Sequence, residues 1–381
     1  GSYSPAQQAQ RDSDVYEQLY RSSLLNYEEG RSWRMSGSES LAAENSPQAA
    51  PTQLPWTPPN PGWRVATTEA GLYHLTYDEL ELAGVPVTTL DPCNLQLFSQ
   101  GAQVPIQVIG EKDGHFDVSD QVVFYAENAN SKYAAENIYW LAVGETRGLR
   151  MQTKDVTPGS AATPSTYMQP KSLDENLIYI TYLSGDDYLE RYVWKYIFAQ
   201  DYQPGNTSAN FQLTTLGSGY GILRVKAFGV TSYPVSPDHH LKVELNNVLI
   251  GDTTWDGLNW KDVTFFVPQA ALQEGTNTIT FTLPNDFGLQ NDFIYLDEVT
   301  LTFPSTFTAT NDQLTFSFGT SGTHKFQVDG FSSPDVAAYD VTNPRNPLLL
   351  VNTVPQLYGT SQYSLIFEDT VTQLMTYALM E

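Results

Sequence analysis

The sequence predicts a mainly β chain: several β-sandwiches in series, a jelly-roll among them, and one helix near the N-terminus. Three observations carry that expectation. At 381 residues the chain is too long for one ordinary core, so two or three domains are expected. It is 41% hydrophobic and 13% aromatic, with 23 Tyr, 18 Phe and 7 Trp, enough to fill such cores. Asp, Asn, Thr, Gly and Pro cut it into short β-branched and aromatic runs, the punctuation of a sandwich.

The helix is expected over residues 12–29. Val15, Tyr16, Leu19, Tyr20, Leu24 and Tyr27 recur at helical spacing, and Asp12 or Ser13 supplies an N-cap. It is expected either to pack on this chain or to contact a partner. From residue 36 the chain turns Ser-, Ala- and Pro-rich, ending Pro55-Trp56-Thr57-Pro58-Pro59-Asn60-Pro61; such a stretch cannot build a core and reads as an extended linker. Residues 1–62 are therefore set apart as helix and linker.

Residues 63–170 are expected to form a β-domain. Strands are predicted over residues 71–77, 95–98, 104–109, 121–125 and 138–142, with one helical turn over 78–82. A polar break over 156–170 closes it. Residues 171–304 carry longer runs, clearest over 222–230, 241–245, 263–267, 278–283 and 293–303, with Asn246-Asn247 and Glu274-Gly275 at turns. Their number and spacing predict a jelly-roll β-sandwich resembling galactose-binding and carbohydrate modules. Residues 305–381 return to β structure. There His324-Lys325-Phe326-Gln327-Val328-Asp329 and Asp340-Val341-Thr342-Asn343-Pro344 weakly echo the stretch from Tyr73 to Phe98. Two arrangements stay open: a separate C-terminal β-domain, or one unit with residues 63–170 into which the jelly-roll is inserted.

Nineteen Lys and Arg against 43 Asp and Glu give a net charge of −24. A surface this negative repels phosphate backbones and anionic lipid, which argues against nucleic-acid partners and membrane insertion. It suits calcium, a hard cation that takes oxygen ligands, and it equally suits solubility alone. Cys93 is the single cysteine, so no internal disulfide forms, as expected of a prokaryotic exported protein or a cytosolic one. Gly1-Ser2 reads as a cloning scar, from which a natural leader is expected to have been removed.

Few residues offer chemistry. Cysteine proteolysis needs a thiolate beside a base, and nothing adjacent to Cys93 in Leu90-Asp91-Pro92-Cys93-Asn94 supplies one; Cys93 is expected to be a small packing residue. His74, His115, His239, His240 and His324 show no zinc spacing, and no Gly-x-Ser-x-Gly elbow occurs. The metal candidate is calcium at Asp113, Asp117 and Asp120, three carboxylates around a Gly-containing turn, although their spacing departs from the EF-hand and suits ordinary turn formation too. A second calcium reading joins Asp297 to Asp187 or Glu190. A sugar-binding groove is drawn from Trp255, Trp260, Tyr233 and His240, since aromatic faces stack on sugars while polar groups bind hydroxyls.

One resemblance spans most of the chain after residue 60. Gly71-Leu72-Tyr73-His74-Leu75-Thr76-Tyr77, Leu90-Asp91-Pro92-Cys93-Asn94-Leu95-Gln96-Leu97-Phe98, Asp113-Gly114-His115-Phe116-Asp117 and Tyr139-Trp140-Leu141 come first. Asp238-His239-His240, Tyr295-Leu296-Asp297 and Asp340-Val341-Thr342-Asn343-Pro344 follow in that order. The succession resembles the non-catalytic N-terminal region of secreted gingipain-like cysteine peptidases. The resemblance implies a prodomain or scaffold, secreted or at the cell surface, that folds with, shields or positions a downstream peptidase domain. The catalytic His and Cys of that family have no counterpart here. The competing expectation is an adhesion or carbohydrate-binding module whose partner is a surface glycan or protein.

Overall fold

The computed structural model describes residues 56–129, 134–181 and 191–381. The helix expected over 12–29 lies outside the described residues, as do Asp187 and Glu190. Residues 58–381 cluster as one compact unit, separate from residues 1–57. The described chain is mainly β, in antiparallel sheets with a single parallel pair, and holds one α-helix.

The first layer pair uses β1 (Trp63–Thr67), β2 (Gly71–Thr76), β3 (Leu95–Ser99), β4 (Ala102–Val104), β5 (Gln107–Ile109), β6 (Gln121–Ala126) and β7 (Asn137–Val143). They form the sheets β1-β7-β3-β4 and β2-β6-β5, closed on Leu95, Leu97, Ile106, Val122, Phe124 and Leu141. Between β2 and β3, α1 (Tyr77–Leu82) starts at a capping box: the Thr76 hydroxyl accepts from the Glu79 backbone N–H while the Glu79 carboxylate accepts from that of Thr76. Strand β6 is buried on both faces. Val122 and Phe124 enter this core, and Val123 and Tyr125 point the other way, against Tyr339 and Val341.

After β8 (Gln152–Asp155) the chain enters the jelly-roll through β9 (Tyr167–Ser172) and a two-strand ribbon, β10 (Ile178–Tyr179) with β11 (Tyr192–Val193). Eight strands follow: β12 (Lys195–Gln200), β13 (Gly205–Leu213), β14 (Gly221–Gly229), β15 (His239–Leu245), β16 (Val248–Trp255), β17 (Trp260–Val267), β18 (Gly275–Leu283) and β19 (Asn291–Ser305). One sheet runs β12-β19-β14-β17 and the other β13-β18-β15-β16. Each alternates first, last, third and sixth, or second, seventh, fourth and fifth strands, which is jelly-roll topology. Alternation, re-phased where β14 and β19 shift register between Val225 and Ala227, fills the space between the sheets with Ile197, Val225, Val243, Phe281, Ile294 and Val299. The long β19 pairs with β12 in its first half and with β9 in its second, where Tyr167 faces Ser305.

The last sandwich uses β20 (Gln313–Phe318), β21 (Gly322–Phe331), β22 (Ala337–Asp340), β23 (Leu348–Val351), β24 (Val354–Tyr358), β25 (Gln362–Val371) and β26 (Met375–Met380). Its sheets are β20-β26-β22-β23-β8 and β21-β25-β24, around Phe316, Phe326, Phe331, Phe367 and Tyr377. Strand β8, which precedes the jelly-roll in sequence, pairs in parallel with β23, Lys154 opposite Leu350. A small second core of Val123, Tyr125, Met151, Tyr339, Val341 and Met380 joins this sandwich to the first layer pair.

Candidate functional site

The four residues drawn together as a sugar groove do not share a surface. In β15, Leu241 and Val243 face the core, so His240 points out from one sheet of the jelly-roll. There its ring lies between Asp286 (2.8 Å) and Asp252 (2.9 Å), so both imidazole nitrogens are already engaged. Trp255 faces inward, 8% exposed. Trp260 lies on the outer face of the opposite sheet, its ring tilted against that of Phe228 at 5.1 Å, with Lys226 Nζ 4.7 Å from its ring centroid. Tyr233 is half-buried in the loop between β14 and β15.

What the strands do assemble is an aromatic row on that outer face. Alternation in β12 sends Ile197 and Ala199 inward and leaves Tyr196 and Phe198 outward, 57% and 43% exposed. Register then aligns Tyr196 with Tyr295, Tyr295 with Phe228, and Phe228 with Trp260, one residue from each of four successive strands. Phe293 and Phe198 form a shorter row beside it, with ring centroids 5.5 Å apart. At about 4.8 Å per strand spacing the long row spans roughly 14 Å. The ribbon of β10 and β11 lies over its middle, where Ile180 and Val193 pack on Phe228 and Tyr295. Tyr179 and Tyr192 of the ribbon, 5.1 Å apart, face solvent at 55% and 42% exposure. Sequence reading found Trp260 and missed the rest, because cross-strand register is not written in any one strand.

A buried polar cluster holds the loops beside the row. Asp238, fully buried, accepts from the Tyr233 N–H at 2.8 Å and the Gly257 N–H at 2.7 Å. His239 Nδ1 lies 2.6 Å from Asp292 and Nε2 lies 3.1 Å from the Thr231 carbonyl; its ring stacks on Trp255 at 4.8 Å. Burial pulls the imidazole pKa down, but the hydrogen bond and charge of Asp292, with Asp238 behind, outweigh it and hold it above the ordinary value. A Cβ on Gly229 would fall 2.4 Å from His239 Nε2, so the strand must carry glycine there. The cluster fastens loops; every polar atom just named has its partner inside the protein.

The acidic turn is likewise occupied by its own backbone. Asp113 Oδ1 accepts from the His115 N–H and Asp120 Oδ2 from the Asp117 N–H. Asp120 is buried beneath Gly110, whose φ of 91° and close approach to that carboxylate leave no room for a side chain. Among the described residues no three His, Cys, Asp or Glu side chains are grouped to hold a metal ion. Asp297 pairs with Lys226 at 2.9 Å, and burial raises its pKa. Cys93 sits by Arg147 and the Glu111 carbonyl. Desolvation and then the Asp91 and Glu111 charges raise its thiol pKa, which disfavours the thiolate.

No protein-family model matches the chain, and no curated protein matches it. Among solved structures, dimeric latent PorU from Porphyromonas gingivalis matches 84% of this chain and 31% of its own length, at 12% identity and a TM-score of 0.64. BuGH86 in complex with neoagarooctaose matches 64% of this chain and 32% of its own, at 11% identity and a TM-score of 0.23. A carbohydrate-binding module of the β-sandwich superfamily matches 61% of this chain and 97% of its own, at 8% identity and a TM-score of 0.23; scores this low carry no argument. The chain has a PorU-like fold and spans about a third of PorU's length.

Proposed function

We propose that this chain is the non-catalytic β-scaffold of an exported, prokaryotic, gingipain-like cysteine peptidase, seating and shielding a peptidase domain elsewhere in the parent protein. The observation that carries the reading is the aromatic row: an apolar strip on a sheet whose other face is already filled, open at Tyr196 and Phe198. Isolated apolar residues are ordinary on a surface, whereas Tyr196 and Phe198 are an exposed aromatic pair at the uncovered end of a row that the ribbon buries in its middle, with charge beside it as at an interface. The rim is present in Arg224, Lys226, Asp262 and Glu298 on the same face, mutually paired at 2.6–3.0 Å. The PorU-like fold over 84% of the chain supports the same reading.

Tyr196 and Phe198 would also stack on sugar rings, which keeps a glycan-binding module as the second reading. Purified chain mixed with the separately expressed peptidase domain should bind at micromolar concentration or tighter. Phe198→Asp with Tyr196→Asp should weaken that binding at least about tenfold, or ~1.4 kcal/mol, without moving the melting temperature. No binding to the domain, together with retention on an immobilised polysaccharide that the same pair abolishes, would install the glycan reading instead.

A further inference from the structure

Lys154 of β8 reaches into the last sandwich and stops between two acids. Its Nζ lies 2.6 Å from Asp369 Oδ2 in β25 and 3.1 Å from Asp340 Oδ2 in β22. Strands β8 and β22 belong to one sheet and β25 to the facing one, so the lysine spans the sandwich. Both carboxylates are 7% exposed and Lys154 is 27% exposed. The other oxygens are fixed: Asp369 Oδ1 accepts from the Thr370 N–H at 2.8 Å and Asp340 Oδ1 from the Thr342 N–H at 3.1 Å. The Tyr377 hydroxyl donates to Asp369 Oδ2 at 2.8 Å from a fully buried ring packed on Phe316, Phe326 and Phe367.

As an ion pair this trio is poorly balanced. One ammonium faces two buried carboxylates, and desolvation of such groups can exceed their Coulombic attraction. As a reactive pair it is well placed, since an amine nucleophile is held against a carboxyl carbon by a rigid sandwich, with a second carboxyl in reach of the same nitrogen.

We propose that Lys154 and Asp369 condense to an intramolecular isopeptide bond, with Asp340 as the proton relay. A proton crosses the 2.6 Å hydrogen bond from Nζ to Asp369, giving an amine and a carboxylic acid. The Nζ lone pair attacks Cγ while the Thr370 N–H, already on Oδ1, holds the oxygen that gains charge and Tyr377 stays on Oδ2, the hydroxyl that departs. Asp340 takes a further N–H proton and delivers it to the departing hydroxyl. The C–N bond forms, the C–O bond breaks, one water leaves, and no oxidant or metal is consumed. The product removes one ammonium and one carboxylate from a buried site. It also ties residues 215 apart in sequence, restraining the unfolded chain as a long-loop disulfide would, in a chain whose one cysteine cannot form an internal disulfide.

Intact-mass spectrometry of the denatured full chain tests this. The expected mass is one water below that of the sequence, and a tryptic digest should show the Lys154 peptide joined to the Asp369 peptide. Lys154→Arg keeps charge and reach but cannot condense, so it should return the full sequence mass; Asp340→Asn should do the same by removing the relay. A wild-type chain at its full sequence mass overturns the bond even if neither variant folds. Water loss that persists in Lys154→Arg overturns it as well, and loss that persists in Asp340→Asn overturns the relay.

Discussion

At the scale of single residues, the jelly-roll's polar cluster links charge to stability. The folded-state pKa of His239 is raised above the ordinary imidazole value of about 6.5. Its contribution is therefore fully present below that pH and is lost as pH rises through the raised value. Urea denaturation of the intact chain should show stability falling as pH climbs from about 6.5 toward the raised pKa, and His239→Gln should flatten that slope. An unchanged slope in the variant would assign the pH dependence elsewhere. Residue identity made part of this legible: Asp238-His239-His240 stands out in the sequence, but which histidine turns inward depends on strand phase. The phase is set by Leu241 and Val243 in the core, and it sends the two rings to different acids. Trp255 and Trp260 part in the same way: Trp255 ends β16 facing the core, and Trp260 begins β17, in the opposite sheet, facing outward. The acidic turn was legible as a turn, and its carboxylates cap the turn's own N–H groups.

At the scale of elements, strands with apolar alternation were readable and polar ones were not. The run over 278–283 lies within β18 (Gly275–Leu283), and that over 293–303 within β19 (Asn291–Ser305). Each observed strand is longer because backbone pairing extends beyond the apolar run, before it in β18 and on both sides in β19. Strand β13 escaped notice: Gly205-Asn206-Thr207-Ser208-Ala209-Asn210 has little β-propensity, yet nine residues pair with β18. The pairing of β8 with β23 joins segments almost two hundred positions apart, which no local pattern announces. Another long-range junction, between the last sandwich and the first layer pair, carries a hydrogen bond from the Tyr339 hydroxyl in β22 to Gln107 Oε1 in β5, 2.6 Å long. Removing it with Tyr339→Phe leaves the ring's packing intact and should cost about 1 kcal/mol. Chemical denaturation should register this as a lower midpoint with an unchanged slope; a changed slope would mean that the two sandwiches had come apart.

At the scale of the whole molecule, the jelly-roll owns its core while the sandwiches before and after it share one. The first layer pair carries Val123 and Tyr125 on a face that the last sandwich covers, whereas the 23 buried residues of the largest core lie within β12–β19 and their connections, save Trp194 immediately before β12. A fragment of residues 167–305 should therefore fold alone, with a cooperative melt and a monomeric elution volume. A fragment of residues 58–155 should aggregate, and adding residues 305–381 should rescue it. A soluble, cooperatively melting 58–155 fragment would contradict the shared core. Fold class was legible from composition and punctuation, because both report on how much apolar surface must be covered. Which surfaces cover one another is a property of the assembled sheets.

The parallel pair between β8 and β23 also sets a clock. During synthesis, Leu350 leaves the ribosome 196 residues after its partner Lys154, which at 5–20 residues per second takes roughly 10 to 40 s. For that interval the first layer pair is complete in sequence but bare on its Val123 and Tyr125 face. The jelly-roll, whose strands lie entirely within the gap, can close before the wait ends. The growing chain thus passes through a stage in which the jelly-roll is finished and the first layer pair is still waiting for the last sandwich.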